Sequence, residues 1–119
     1  MSSRASVASV KEFQIEKHLR TVAQLETTIA DFDRLVDNLN HEIQAEEDRV
    51  KIHDPSHFAY PTFATAAIRR RDNLMRSSNR LKIQLDAARK TLGEVAEELV
   101  AMRKLDPNQP LEECGSSLI

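Results

Sequence analysis

The chain has 119 residues, 40% of them apolar and 30% charged, with two Gly, four Pro, one Cys and no Trp. Two glycines leave no glycine-rich phosphate loop to be written, and they starve a turn-rich sandwich or barrel of the residue its hairpins lean on, so a mostly helical chain is expected. A formal charge of −2 gives no global pull toward nucleic acid or an anionic membrane.

The opening segment, Met1 to Val10, has no long apolar run, so it does not read as a secretory signal. No stretch approaches the roughly 18 apolar residues of a membrane span, and a cytoplasmic protein is expected. A first helix is predicted over about residues 6–52. From Val22 its apolar positions alternate in steps of three and four: Leu25, Ile29, Phe32, Val36, Leu39, Ile43, Glu46 and Val50. Eight of the nine are apolar. Ile15 and His18 extend the same phase backward, giving a heptad seam with Val22 at a and Leu25 at d.

Residues 53–62, His53-Asp-Pro-Ser-His-Phe-Ala-Tyr-Pro-Thr62, break the pattern with Asp54-Pro55 and Tyr60-Pro61. A second helix is predicted over about 63–105, with the seam Leu74, Ser78, Leu81, Leu85, Ala88, Leu92, Val95, Leu99 and Met102. Backward it narrows through Arg71, Ala67 and Ala64. Pro107 and Pro110 stop this helix, and residues 106–119, with Cys114 and Gly115, are expected to form a disordered tail. A break this short folds the helices back on each other. The predicted fold is all-α: one domain, residues 1–105, built as a long antiparallel two-helix coiled-coil hairpin.

Charges test the register. One axial offset sets Glu12 by Arg103, Glu26 by Arg89 and Asp33 by Lys82, three opposite-charge pairs on the e flank. The same offset brings Glu46 opposite Arg71, Val36 by Leu81 and Leu39 by Ser78, and leaves Arg49 near Arg70 on the g flank. Exposed pairs contribute only about 0–1 kcal/mol each, so they select register more than they stabilise. A hairpin burying one stripe per helix is marginal alone, and a partner or self-association is expected.

No catalytic constellation stands out, so no enzyme, cofactor or metal is expected. His53 and His57 lie at i, i+4 around Asp54, but Pro55 intervenes and no third ligand is evident; they read as polar residues of the bend. A lone Cys114 forms neither an internal disulfide nor a CxxC pair. Within Arg69-Arg-Arg71 the seam accounts for Arg71. Arg69 and Arg70 are too small a patch for nucleic acid, and read as a solvated face or as contacts for an acidic protein. Three of the five aromatics, Phe58, Tyr60 and Phe63, gather at the bend. They plug the end of the coiled coil or present a docking tip to another protein, and different rings can do each.

The bend segment Asp54-Pro-Ser-His-Phe-Ala-Tyr-Pro-Thr-Phe63, followed by Ala66-Ala-Ile-Arg-Arg-Arg-Asp-Asn-Leu74, resembles the flagellar export proteins of the FliJ family in their alphaproteobacterial form. Phe13-Gln14, Val22-Ala-Gln-Leu-Glu26, Ile29-Ala-Asp-Phe32 and Glu42-Ile-Gln-Ala-Glu-Glu47 add to the likeness, which covers about residues 7–105. It implies a non-catalytic coiled-coil stalk of the flagellar type III export apparatus, held peripherally at the cytoplasmic face of the inner membrane without inserting into it. The implied partners are the export ATPase, the cytoplasmic domain of the export gate and substrate chaperones. By position, the family's gate-contacting aromatic falls on Phe63, with Tyr60 just before it and Leu74 further along the helix. Pro107 and Pro110 depart from the family's longer second helix, the end expected to enter the ATPase. A different function would be a coiled-coil finger that regulates RNA polymerase, presenting Glu46, Glu47, Asp48 and Asp54; residues 106–119 are too few for the anchoring domain such factors carry.

Overall fold

A computed structural model describes residues 3–105. It contains two helices, α1 (Ser3–Val50) and α2 (Thr62–Leu105), and no strand among the described residues. No helix among them is long and apolar enough to cross a membrane. The tail predicted over 106–119 lies outside the described residues.

Helix α1 stops two residues earlier than the sequence predicts. Lys51 takes a left-handed backbone, φ 60°, and the Ile52 N–H turns back onto the Glu47 carbonyl at 3.2 Å. This six-to-one bond closes the helix end and satisfies one of its orphan carbonyls. Glycine ordinarily occupies that left-handed position, because another residue there costs about 1–2 kcal/mol. With Lys51 in its place, the stop carries no local signature. Helix α2 begins where the Pro61 carbonyl accepts the Thr65 N–H at 3.1 Å. Proline is tolerated there because no helical donor is required of it.

By packing, the chain forms two compact units. One is continuous from Ala23 to Asp86 and holds the bend, with α1 and α2 antiparallel as a helical hairpin. Its seam is the predicted one. Ile29, Leu39, Ile43, Ala64, Ala67, Ser78 and Leu85 are buried, while Leu25, Phe32, Val36, Glu46, Val50, Arg71, Leu74 and Leu81 are half-buried. Ile83, off the seam, stands 70% exposed. Apolarity alone therefore does not bury a side chain here; heptad position does.

Asp33 and Lys82 meet at 3.6 Å, as the charge register requires. Glu46 and Arg71 do not meet, which corrects the expected contact across the seam. Glu46 is taken by Arg49, one turn on, at 2.6 and 3.0 Å, and Arg71 by Asp72 and Asn40. An i,i+3 partner on the same helix face serves Glu46 without drawing both charges into the seam.

Ser78 is the most buried polar side chain of this unit, 2% exposed, and its hydroxyl donates to Asp33 Oδ1 at 2.8 Å. A polar group at an a position stabilises only the register that offers it a partner. Ser78→Ala is expected to lower stability by about 0.5–1.5 kcal/mol in urea unfolding. Combined with Asp33→Ala it should show clear non-additivity, because both variants remove the same bond.

The other unit pairs α1 up to Val22 with α2 from Ala87. Leu99 is buried and Ile15, His18, Val22, Ala88, Leu92, Val95 and Met102 are half-buried, again the heptad positions. The predicted Glu12–Arg103 pair is formed at 2.7 Å, and Lys11 adds a second contact to Glu98 at 3.1 Å. Arg103 and Lys104 also sit in the last turn of α2, where cations complement the carbonyl end.

The bend as a candidate docking site

Two successive turns build the bend. The His57 N–H donates to the Asp54 carbonyl at 3.0 Å, with Pro55 supplying the preset φ of the first corner. Asp54 Oδ1 accepts both the Ser56 N–H, at 3.0 Å, and its hydroxyl, at 2.7 Å. Those bonds, the Ser56 hydroxyl foremost, hold the Asp54 carboxyl below its usual range. The second turn closes with the Tyr60 N–H on the His57 carbonyl at 3.0 Å. The Ala59 N–H donates to His57 Nδ1 at 2.9 Å. The imidazole stacks on Phe58, centroids 4.7 Å apart.

The three bend aromatics divide between the two roles open to them. Phe58 is 96% exposed and Phe63 56%. Tyr60 turns inward, only 9% exposed, and its hydroxyl donates to Glu47 Oε2 at 2.5 Å. Burial, reinforced by the Glu47 carboxylate, pushes the phenol up to about 12. Of the two roles, Tyr60 takes the geometry of the plug, with its polar tip satisfied by Glu47. Leu74 is half-buried and packs against Leu39, Ile43 and Ala67.

The remaining polar groups of the bend are engaged locally. Asp48 accepts from Gln44 at 3.0 Å and lies 2.9 Å from His53 Nε2; the His53 contact foremost lowers its carboxyl. His53 and His57 therefore serve different neighbours rather than one shared ion. Among the described residues, no group of three His, Cys, Asp or Glu side chains could hold a metal. Glu46, Glu47, Asp48 and Asp54, the acids a polymerase finger would present, are occupied by Arg49, Tyr60, His53 and Ser56 in turn.

Beside the exposed polar residues of the two turns, the bend presents an apolar and cationic group. Phe58 projects from the second turn, and Phe63, Ala66, Arg69 and Arg70 are exposed on the first turns of α2. From the sequence, Glu47 stands only as one of the acids near the bend, and Ala66 has no role of its own. Glu47, one position past the seam in the last turn of α1, is buried under Tyr60; a carboxylate at that place with a tyrosine in the following bend was the available signal. Ala66 leaves a gap between Phe63 and Arg70, at i+3 and i+7 spacing on one helix face. No family model, no curated protein and no solved structure matches the chain.

Proposed function

We propose that the chain is a non-catalytic helical-hairpin coupler of the flagellar type III export apparatus, docking by its bend on the cytoplasmic domain of the export gate. The observation that carries this reading is the exposure of Phe58 and Phe63 on a bend whose polar groups are already satisfied. Large exposed aromatics on a turn-fixed scaffold fit an interface anchor, since little ordering entropy remains to oppose binding. The resemblance to FliJ proteins supplies the partner, and the aromatic it assigns to the gate, Phe63, is one of the two that are accessible. In this role the seam residues stiffen the helices, the export ATPase performs hydrolysis, and the hairpin works at the cytoplasmic face of the inner membrane, where substrate chaperones are further partners.

Phe63→Ala is expected to weaken gate binding by at least about tenfold, the loss of one interface anchor, and to reduce swimming motility. Helix content should not change, because Phe63 is 56% exposed and lies off the seam positions. Unaltered gate affinity and motility in this variant would remove the main support for the reading.

A further inference from the structure

We infer that the face of α2 carrying Phe63, Ala66, Arg69 and Arg70 is built for an acidic amphipathic helix of a partner protein, and this rests on the docking role proposed above. Phe63, Ala66 and Arg70 follow one another at helical spacing, so an exposed ring and a guanidinium flank a small residue that lets a second helix approach closely. Arg69 adds a second exposed cation on the adjoining turn. Among the described residues neither Arg69 nor Arg70 makes an ion pair or hydrogen bond, whereas Arg71 beside them is committed to Asp72 and Asn40.

Among the described residues no carboxylate pairs with Arg69 or Arg70. The acids at this end, Glu46, Glu47, Asp48 and Asp54, all have partners, and Asp72 is taken by Arg71. Arg49, which shares the g flank with Arg70, is neutralised within its own helix by Glu46. Arg69 and Arg70 therefore stand exposed without a counter-ion of their own among the described residues, in a chain whose formal charge is −2. A carboxylate pair from outside answers the two guanidinium forks, and an apolar residue between them answers Phe63 and Ala66. Two cations beside a phenyl ring fit a protein better than a nucleic acid, whose affinity grows with many phosphate contacts along a basic track.

The test is a titration of the full chain with three probes: a synthetic amphipathic helical peptide with leucines flanked by glutamates, its glutamine counterpart, and a mixed-sequence single-stranded oligonucleotide. The glutamate peptide is expected to bind, to shift the amide signals of residues 63–70, and to weaken as salt rises. Arg69→Glu with Arg70→Glu should weaken it by about tenfold, and Phe63→Ala by a similar factor, while Arg70→Lys retains much of the affinity. Circular dichroism on each variant verifies folding. Equal binding of the glutamine peptide, indifference to the charge reversal, or preferential binding of the oligonucleotide overturns the inference. Motility is read separately. A doubly charge-reversed strain that swims normally, with peptide binding lost, contradicts the export role and leaves the acidic-helix site standing.

Discussion

Tyr60→Ala is expected to destabilise the chain by about 3–5 kcal/mol, the range for truncating a large buried ring. Two losses combine. The ring vacates the inner side of the bend, and Glu47 keeps a buried carboxylate without its hydroxyl donor. Tyr60→Phe separates them: it preserves the ring and should cost about 1.5–3 kcal/mol, the range for a hydrogen bond to a charged group. Glu47→Ala examines the same contact from the other side, and the double variant should cost less than the two single ones added together.

The same contact predicts a pH dependence. The folded phenol is held at about 12, above its ordinary value of about 10, so its neutral form is favoured by folding. Its contribution is complete below about pH 10 and is lost as pH rises toward about 12. Tyr60 is the only tyrosine and tryptophan is absent, so phenolate absorbance reads this one residue. Its titration should be displaced upward from that of the urea-unfolded chain, and Glu47→Ala should lower the folded midpoint.

Ile43→Ala is the second large effect, about 2–5 kcal/mol by urea or thermal unfolding. Ile43 is 6% exposed and clusters with Leu39 and Ala67, with Ile68 and Leu74 packed alongside. Ala67 is too small to fill the vacated space, so a cavity adds to the lost transfer energy. Because this unit buries only one stripe per helix, a truncation of that size removes much of the net stability. Ile83→Ala removes the same atoms from a position 70% exposed and should change stability by no more than about 0.5 kcal/mol. A comparable cost at both positions would mean that the heptad seam is not what holds the helices.

The helices and their seam were legible because heptad spacing is a property of sequence alone. It buried Ser78 and half-buried His18, Glu46 and Arg71 despite their polarity, as readily as Leu39. The Glu12–Arg103 and Asp33–Lys82 contacts followed from the register, since charges on the e flank meet only when the helices are correctly offset. What failed were choices among competing partners. Arg71 faces Glu46 in the heptad scheme, but Arg49, Asp72 and Asn40 reach these groups with less rearrangement. The end of α1 was misplaced because Lys51 adopts a backbone that sequence preference reserves for glycine. At the bend, composition revealed an aromatic cluster but not its division. That division follows from the two turns, which point Phe58 outward and bring Tyr60 over Glu47.

The central claim is that the bend, through Phe58 and Phe63, is the surface that meets the export gate. Hydroxyl-radical footprinting of the full chain, alone and with the purified gate cytoplasmic domain, reads it residue by residue. Phe58 and Phe63 should lose most of their oxidation on binding, whereas Phe13 and Met75, exposed outside the bend, should keep theirs. Protection of Phe13 or Met75 with Phe58 and Phe63 still oxidised, or no protection at saturating gate domain, would contradict the account.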